Sequence, residues 1–443
     1  MEHTPKNAVT LEKIVALCKR RGFIFPSNEI YGGLNGVYDI GHLGTALKNK
    51  IRAAWTKNIE SFASSYQSEI LFLEGALLGT EALWEASGHV SNFHDPMVDC
   101  LTCKHRYRSD DINLNGACPH CGNKTWSAVR EFNMMFKTEL GATAGLSSTA
   151  YLRPETAQSI FINFKNIYSS SRIKIPCGIA QIGKAFRNEI TPKQFIFRMR
   201  EFEQMEIEWF CQEQDAQRFF EAWCDQRCAF YKTIGINPDN IRVRAHEKEE
   251  LSHYSRGTSD VEYRFPFGWK ELEGIANRGN FDLAQHSTFS GKDLSVFDEA
   301  SKTSYIPHVV ECSVGVDRLF LTILCDAYAE EEVDGEVRTV LRLKPSLAPV
   351  PAAFFPLTKQ QEEPMKKIYA ALRAKNYAYA YDVSGSIGKR YRRFDEIGTP
   401  VCFTYDFDSA QDNCVTARHR DTMVQERISI DNIEKYIIDI LQK

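Results

Sequence analysis

The sequence has no long hydrophobic run and no large excess of charge of either sign. No stretch of about 18 apolar residues occurs anywhere in the chain, which argues against a membrane-spanning helix. Lys6, Glu12 and Lys13 interrupt the N-terminal apolar residues, so a secretory signal peptide is not expected. Lys and Arg number 54 against 58 Asp and Glu, so any contact with nucleic acid must come from a local basic patch. We therefore expect a cytoplasmic protein without a membrane partner.

What is present is typical of a folded, multidomain chain. Hydrophobic residues make up 43% and charged residues 25% of the 443 residues, which excludes a disordered protein. At roughly 150 residues per domain, this length predicts two or three domains. The 13 cysteines, without a signal peptide, indicate reduced thiols apart from any that bind a metal.

Changes in composition predict where the domains lie. Residues 91–130 concentrate cysteine, basic and turn residues, which indicates an inserted module. Four prolines between Pro345 and Pro356 are typical of a linker and place a boundary near residues 345–355. The prediction is a large domain of residues 1–90 and 131–344, the insertion, and a C-terminal domain of residues 345–443. In that last domain, helices and strands alternate as in a small α/β fold, with a helix from Lys359, a strand at Tyr377–Tyr381, a strand at Pro400–Tyr405 and a helix from Asp431.

Local patterns predict several elements of the large domain. Apolar residues at helical spacing predict a helix from Thr10 to Arg21 that Gly22 ends. A glycine-rich loop over residues 31–44 then leads into a long helix. Asp334 and Gly335 indicate a tight turn between two strands.

Two pairs of cysteines carry the most specific metal-binding signal. Cys100 and Cys103 form one C-x2-C pair, Cys118 and Cys121 form another, and this spacing suits two knuckles that bind one tetrahedral Zn²⁺. His105 or His120 could replace one of the thiolates. The alternative is four unligated thiols that fall in pairs by chance. A closed site of four ligands would be structural, because no position remains for substrate.

Residues 173–210 read as a long antiparallel hairpin that Glu189–Gln194 interrupts, since Pro192 cannot join a ladder. Alternation places Arg187 and Glu189 on one face of the first strand. It places Gln204, Glu206 and Glu208 opposite Met205, Ile207 and Trp209 in the second strand. The polar face is either a solvated surface with ion pairs or a site that binds a phosphate and an ammonium group together. Residue types alone leave both interpretations open.

Several segments in this order resemble the glycine-specific branch of the class II aminoacyl-tRNA synthetases. Phe186-Arg-Asn-Glu189 followed by Phe197–Glu206 is similar to the second signature of that class, and Gly315-Val-Asp-Arg318 to the third. Further similar segments are Leu152–Gln158, Glu271–Arg278, Glu311–Gly315 and, in the anticodon-binding domain of the family, Gly385–Arg393. In the first, dimer-forming signature, Ile40 and His42 replace an aromatic residue and a proline that the family usually has. The resemblance covers essentially the whole chain.

The resemblance implies an α+β fold, in which helices flank an antiparallel sheet of six or seven strands, with a zinc-ribbon-like insertion and an α/β anticodon-binding domain. It implies a homodimer that joins glycine and ATP into glycyl-adenylate and passes the glycyl group to the 3′ end of tRNA(Gly). Arg187 and Arg318 are the expected catalytic residues. Arg187 would contact the α-phosphate, and Arg318 would stack on adenine. The expected ATP-binding residues are Arg187, Asn188, Glu189, Phe197, Arg198, Met199, Arg200, Glu201, Phe202, Glu271, Leu272, Gly315, Val316, Asp317 and Arg318.

For glycine, the resemblance implies carboxylates that fix the ammonium group, with Ser313 crowding the α-carbon and Arg108 near the substrate carboxylate. Glu271 and Glu311 are candidate ligands for Mg²⁺ that accompanies ATP. The expected glycine-binding residues are Arg108, Glu155, Phe202, Glu203, Gln204, Met205, Glu206, Glu311, Cys312, Ser313, Val314 and Gly315.

A basic cluster in the C-terminal domain is the predicted tRNA contact, although such a cluster taken alone is more often a solvated loop. Tyr391 and Phe394 would stack on unpaired bases. The cluster contains Lys389, Arg390, Arg392 and Arg393, and Arg418, His419 and Arg420 form another.

Three other functions are weighed against this one. A non-catalytic nucleic-acid-binding paralogue is disfavoured because Arg187, Glu189 and Arg318 are intact. A synthetase for threonine or proline would need room where Ser313 lies. A zinc-ribbon regulator would explain only the insertion.

Overall fold

The computed structural model describes residues 9–141, 148–247, 255–375 and 378–442. In these ranges the chain forms helices α1 Leu11–Arg21, α2 His42–Ser65, α3 Glu81–Ala86, α4 His89–Asn92, α5 Ala157–Ser171, α6 Ala216–Thr233, α7 Phe281–Ser290, α8 Val316–Ala327, α9 Glu362–Arg373, α10 Ile387–Glu396, α11 Ser409–Asp412 and α12 Ile433–Leu441. Across these described ranges, none of the helices is both long and apolar enough to cross a membrane.

The strands fall into several sheets. They are β1 Ile24–Pro26, β2 Tyr38–Ile40, β3 Ile70–Phe72, β4 Leu78–Thr80, β5 His94–Asp99, β6 Arg106–Arg108, β7 Arg130–Asn133, β8 Phe136–Leu140, β9 Ser148–Leu152, β10 Cys177–Phe186, β11 Glu201–Cys211, β12 Ile241–Ala245, β13 Gly257–Phe265, β14 Gly268–Gly279, β15 Val296–Asp298, β16 Thr303–Tyr305, β17 His308–Gly315, β18 Tyr328–Val333, β19 Glu336–Leu341, β20 Ala352–Pro356, β21 Ala380–Tyr381, β22 Val401–Tyr405, β23 Cys414–His419 and β24 Gln425–Ser429.

A seven-stranded sheet organises the large domain, in the order β12-β13-β14-β17-β11-β10-β3. Its pairs are antiparallel, as expected, except that edge strand β3 runs parallel to β10. Helices cover both faces. Trp55 of α2 and Trp223 of α6 belong to the core on one face, whereas Phe161 of α5 and Leu283 of α7 belong to the core on the other. The α+β class is confirmed.

The expected N-terminal helices are confirmed, but the expected loop over residues 31–44 contains strand β2, and helix α2 already begins within it at His42. The side chain of Thr10 caps α1 by accepting a hydrogen bond from the backbone N–H of Lys13, and Gly22 ends the helix with a φ of 75°. The long helix α2 follows the glycine-rich loop. Gly44 lies where an added Cβ would be 2.1 Å from the carbonyl oxygen of Phe23, so α2 can approach this segment only with glycine there.

The hairpin of β10 and β11 forms with Gln181 opposite Glu206, and its polar face is buried rather than solvated. The solvated-surface interpretation is therefore wrong. The expectation that Arg187 and Glu189 alternate within the strand is also wrong, because β10 ends at Phe186 and both residues lie in the following loop. The turn at Asp334 and Gly335 joins β18 to β19 as predicted, with φ of 53° and 79°.

The C-terminal residues form a five-stranded sheet in the order β21-β20-β22-β23-β24. The helices expected from Lys359 and from Asp431 are α9 and α12, each preceded by a turn of 3-10 helix. The predicted first residue of β21, Tyr377, lies outside the described residues. Helix α10 was not predicted, because its four basic residues read as a loop.

Helix α10 instead packs against the β18–β19 hairpin of the large domain. Arg338 of β19 is fully buried and donates from Nε to Asp395 of α10 at 2.9 Å. Arg418 of β23 donates to the same carboxylate at 2.9 and 3.1 Å. Arg420 donates to the carbonyl oxygens of Gly398 and Leu343, both at 2.8 Å. Buried charges bonded in this way fix the C-terminal sheet against the large domain.

Candidate active site

A polar cavity of about 280 Å³ opens on one face of the seven-stranded sheet. Alternation along β17 directs Glu311, Ser313 and Gly315 toward it, and β11 contributes Gln204 and Glu206. In β14, a register shift opposite Val261 and Glu262 inserts an extra residue. The shift places the expected Glu271 on the cavity side together with Gly274, Ala276 and Arg278.

At one end of the cavity, carboxylates crowd into a buried space. Oxygens of Glu206, Glu208 and Glu311 lie within 4.8 Å of one another. Thr156 donates its hydroxyl to Glu206. Arg278 donates from Nη1 to Glu311 at 2.6 Å. Such a space favours a compact cation with several N–H donors, because it offers oxygens that protein donors only partly occupy.

Burial and charge together set the ionisation of these groups. Burial, reinforced by the charges of Glu311 and Glu155, raises the pKa of Glu206 to about 8. Burial also raises the pKa of Glu311, although Arg278 works against the rise. At Glu155, burial acts in the same direction, but His89 at 3.3 Å and Arg278 outweigh it and hold the pKa of that carboxyl below its usual range.

The side chains at the other end of the cavity are suited to bind a flat ring and negatively charged groups. The Arg318 guanidinium lies 4.5 Å from the centre of the Phe197 ring, and its Nη1 is 3.2 Å from a carboxylate oxygen of Glu271. Arg187 donates from Nε to the carbonyl of Pro154 at 3.0 Å and lies 5.3 Å from the ring centre of Phe202. An arginine that lines a polar, partly enclosed cavity and has N–H groups left over is suited to bind phosphate oxygens.

The cavity thus brings together most of the residues that the sequence predicted. Those that line it are Glu155, Arg187, Glu189, Phe197, Arg198, Met199, Phe202, Glu203, Gln204, Glu206, Glu271, Glu311, Ser313, Gly315, Asp317 and Arg318.

Most of the predicted residues that do not line the cavity lie in strands, where adjacent side chains point to opposite faces of the sheet. Predicted segments such as Phe202–Glu206 took every residue of a strand, but only alternate ones face the cavity. Leu272, Met205, Cys312, Val314 and Val316 belong to the apolar core. Glu203 is an exception to this alternation, because it also lines the cavity, but its carboxylate is bound by Lys48 at 2.8 Å and Arg52 at 2.6 Å. Asn188, Arg200, Glu201 and Arg108 are also absent from the described lining.

Arg108 pairs with Asp95 at 3.1 Å inside the insertion, so the structure does not place its side chain at the glycine end of the cavity. The insertion nevertheless touches the loop that carries Arg187. Lys193 of this loop lies 3.9 Å from Asp111 of the insertion. The backbone N–H of Asn188 also donates at 2.7 Å to the carbonyl of Met134, which directly follows strand β7 of the insertion's sheet.

The four paired cysteines of the insertion lie together. The Sγ atoms of Cys100 and Cys121 are 3.6 Å apart, and those of Cys103 and Cys118 are 3.7 Å apart. Four thiolates 2.3 Å from a tetrahedral zinc ion would be separated by about 3.8 Å. The cluster therefore fits a metal of this type. His105 and His120 stack on each other at 3.7 Å between ring centres, and a second possible ligand group combines them with Cys103.

The two candidate magnesium ligands differ in their surroundings. The Glu271 carboxylate is half-exposed at the mouth of the cavity, where phosphate oxygens could complete an octahedral shell. Each carboxylate contacts an arginine, but the bond of Glu311 to Arg278 is short, 2.6 Å, and nearly buried, whereas Glu271 lies 3.2 Å from Arg318 and stays open to solvent. A dication at Glu311 would therefore meet an uncompensated buried positive charge. Glu271 therefore fits magnesium, and the prediction of Glu311 as a ligand does not fit.

Sequence reasoning missed a group of cavity residues. Arg278 stood at the end of a recognised motif but received no role, and period-two spacing from Gly274 could have found it. His246 and Asp260 carried no signal, because their bond of 2.7 Å joins the residue after β12 to a residue of β13, and only the fold brings these two segments together. The missed lining residues are Ile196, His246, Thr258, Asp260, Gly274, Ile275, Ala276 and Arg278.

The predicted tRNA-contacting cluster is split by helix α10. Lys389 is exposed, whereas Arg390 is buried and donates to the carbonyl oxygens of Pro356 and Gly385. Arg393 is bound to Asp382, and Arg392 is partly buried. Tyr391 and Phe394 pack on Phe355, so the expectation that both rings stack on bases is wrong. The second cluster is similarly engaged, because Arg418 and Arg420 are buried and His419 bonds Glu426 at 2.9 Å.

Comparisons with known proteins cover nearly the whole chain. Residues 136–327 match the tRNA synthetase class II core domain (G, H, P, S and T), and residues 352–440 match the anticodon binding domain. A glycine–tRNA ligase of Caldanaerobacter subterraneus subsp. tengcongensis is 50% identical over 461 residues, covering 98% of this chain and 99% of the relative. The glycine–tRNA ligase of Geobacillus thermodenitrificans is 48% identical over 465 residues, covering 99% of both chains.

These matches confirm the resemblance seen in the signature segments. At this identity and coverage, the chain belongs to the glycine–tRNA ligase family of the class II aminoacyl-tRNA synthetases.

Proposed function

We propose that the chain is a glycine–tRNA ligase whose cavity joins glycine to ATP and then passes the glycyl group to the 3′ end of tRNA(Gly). The observation that best supports the proposal is that a single cavity combines two different binding environments. A buried carboxylate cluster lies at one end, and Arg187, Arg318 and Phe197 lie at the other. A binding module without catalysis would have no use for this combination, so the non-catalytic alternative is not favoured.

In the first step, a carboxylate oxygen of glycine attacks the α-phosphorus of ATP and the bond to pyrophosphate breaks. Arg187 is proposed to contact the α-phosphate and to offset the charge that builds up on its oxygens. Arg318 and Phe197 hold the adenine ring between them. Glu271 would hold the magnesium ion that accompanies ATP, and this ion would neutralise charge on the phosphates. No side chain forms a bond to the substrate, because positioning and charge account for the catalysis.

Selectivity for glycine is proposed to come from a pocket that binds the ammonium group and leaves no room for a side chain. Glu155, Glu206 and Glu311 are the proposed carboxylates. The Ser313 hydroxyl lines the cavity and accepts a hydrogen bond from Gln204 at 3.3 Å, and we propose that it crowds a substituent on the α-carbon. In the second step, a hydroxyl of the terminal adenosine attacks the glycyl carbonyl and AMP leaves.

Three further features belong to this proposal. The chain divides into a catalytic domain of residues 1–90 and 131–344, an insertion of residues 91–130 and an anticodon-binding domain of residues 345–443. Separate sheets in the three parts support this division, although the insertion's sheet β6-β5-β7 continues past residue 130 to Asn133. The insertion holds one structural Zn²⁺ through Cys100, Cys103, Cys118 and Cys121. It supports the Arg187 loop and brings Arg108 toward the glycine carboxylate when substrate binds.

The working form is proposed to be a homodimer in the cytoplasm. The loop before α2 exposes Ile30 and Tyr31 at 88% and 85% of their surface, which favours a partner on this side. None of the 13 cysteines forms a disulfide, which suits a reducing compartment. tRNA is proposed to contact the C-terminal domain through exposed basic side chains such as Lys389.

Amino-acid-dependent exchange of pyrophosphate into ATP, without tRNA, tests the activity. Glycine is compared with alanine, serine, threonine and proline. The expected result is exchange with glycine alone. Absence of exchange with every amino acid, from folded and zinc-loaded protein, would instead support the non-catalytic alternative.

A further inference from the structure

Glu208 lies beneath the glycine end of the cavity and has no role in the reaction described above. It follows Glu206 on the same face of β11 and pairs across the sheet with Glu311 of β17. Its side chain is fully buried, and among the described residues neither of its carboxylate oxygens has a hydrogen-bond partner. An oxygen of Glu208 nevertheless lies within 4.8 Å of oxygens of both Glu206 and Glu311.

An ionised carboxylate in this position would be costly, because it would lie in a dry space without a bonded cation. Burial, reinforced by the charge of Glu311, raises the pKa of Glu208 well above its ordinary value, and Arg278 only partly opposes this rise. Arg278 directs Nε and Nη2 to Asp282 and Nη1 to Glu311.

The other titratable groups on the surrounding elements do not alter this balance. Helix α7 contributes His286 as well as Asp282, and burial lowers the pKa of His286, which favours its neutral form. On the far side of Glu206, Glu155 is already paired with His89. Three carboxyl groups besides Glu208, those of Asp282, Glu311 and Glu155, therefore interact with Arg278, and a further negative charge would find little compensation.

A neutral carboxylic acid, by contrast, has one O–H donor and adds no charge. Glu311 is the cross-strand neighbour of Glu208, so rotation of the Glu208 side chain can bring its O–H to a free oxygen position of Glu311. A donor on that side stabilises the ionised form of Glu311 and fixes the direction of its carboxylate.

We propose that Glu208 is a positioning residue for the glycine site, a neutral acid that donates a hydrogen bond to Glu311 and so keeps the Glu311 carboxylate ionised and directed at the ammonium group. This role rests on the proposed glycine pocket. Glu208 acts through Glu311 and touches no substrate itself.

Two variants separate the donor from the shape of the side chain. Glu208→Gln keeps an N–H donor and is neutral at every pH, whereas Glu208→Met keeps an unbranched side chain of similar length and has no donor. In pyrophosphate exchange, E208Q is expected to keep the KM for glycine within about 3-fold of the wild type. E208M is expected to raise this KM by about 10- to 100-fold, as for a lost hydrogen bond to a charged group, with the KM for ATP changed less than about 2-fold.

The pH profile of kcat/KM for glycine provides a readout that a purely structural role would not change. Without the donor, Glu311 ionises less easily, so the acidic limb of E208M is expected to move to higher pH while that of E208Q stays in place. Glu273→Gln is the matched control, because Glu273 is also a fully buried glutamate, but its carboxylate is bound by Arg227 and does not line the cavity. This control is expected to lower the thermal unfolding midpoint without changing the KM for glycine.

Each outcome bears on one of the two claims. Equal losses in E208Q and E208M, or an unchanged KM for glycine in E208M, would overturn the role of Glu208 while wild-type exchange with glycine leaves the proposed function intact. Absence of glycine-dependent exchange in the wild type would overturn both. If E208M does not fold, Glu208→Leu replaces it as the variant without a donor.

Discussion

The guanidinium of Arg318 rests 4.5 Å above the ring centre of Phe197, so the two groups that are proposed to hold adenine are in contact with each other. A ring stacked between them needs two contact distances of about 3.5 Å, and the gap must therefore widen by about 2.5 Å. Glu271 holds Arg318 in this position through its carboxylate and its carbonyl oxygen, both 3.2 Å from Nη1. ATP must replace the contact between Arg318 and Phe197 with two contacts of its own.

Replacing Arg318 with lysine tests this arrangement. Arg318→Lys keeps the charge but loses the flat guanidinium, so we expect the KM for ATP to rise about 5- to 30-fold, with a smaller effect on the KM for glycine. The measurement is pyrophosphate exchange at varied ATP. Arg264→Lys is the control, because Arg264 is an exposed arginine of the same sheet that bonds Asn240. An unchanged KM for ATP in Arg318→Lys would contradict the stacking role.

The zinc cluster yields a second prediction. Cys103→Ser removes one of four thiolates, so bound zinc is expected to fall from about one ion per chain to a small fraction, as measured by elemental analysis. Because Asp111 of the insertion lies 3.9 Å from Lys193 of the Arg187 loop, and Met134, directly after the insertion's strand β7, bonds Asn188 of that loop, we also expect a higher KM for glycine. Cys414→Ser is the control, since Cys414 lies in β23, far along the chain from the cluster. A normal KM for glycine in the zinc-free variant would show that the insertion does not help to position the substrate.

The sequence predicted the elements that depend on local spacing and on signature segments. Helix α1 with Thr10 and Gly22, the turn at Asp334 and the paired cysteines all follow from neighbours along the chain. Period-two alternation also shows why Gln204 and Glu206 share a face. The prediction was wrong where it assigned every residue of a matching segment to the site, because the side chains of Met205 and Val314 point to the core.

Features that depend on tertiary contacts were not predictable in this way. The bond between His246 and Asp260 exists only because β12 pairs with β13. Arg390 read as part of a basic surface, and only the packing of α10 shows that carbonyl oxygens inside the protein bind its guanidinium. The extra residue in β14 that turns Glu271 into the cavity likewise depends on the register with β13.

The two adjacent basic residues Lys389 and Arg390 predict opposite effects of substitution. Lys389→Ala removes an exposed charge, so tRNA affinity is expected to fall about 2- to 5-fold at low salt with no change in unfolding midpoint. Arg390→Ala leaves buried carbonyl oxygens unpaired, so the free energy of unfolding is expected to fall by about 2–4 kcal/mol. Filter binding and thermal unfolding measure the two effects. Equal stability losses in the two variants would contradict the burial difference.

The buried carboxyl of Glu206 makes the stability of the ligand-free protein depend on pH. Its pKa is raised to about 8 in the folded protein, whereas an unfolded glutamate has a pKa of about 4.3. A raised pKa means that folding takes up a proton, so this stabilisation is fully present below about pH 4 and is lost as pH rises through about 8. Glu206→Gln is neutral throughout and removes this dependence.

We therefore expect the unfolding midpoint of the wild type to fall relative to that of Glu206→Gln between pH 5 and pH 8.5, by about 4 °C or more. Thermal unfolding across this range measures the difference, and parallel curves for the two proteins would show that Glu206 is already ionised at neutral pH. Saturating glycine and ATP should narrow the difference, because the ammonium group compensates the ionised carboxylate that is uncompensated in the empty pocket.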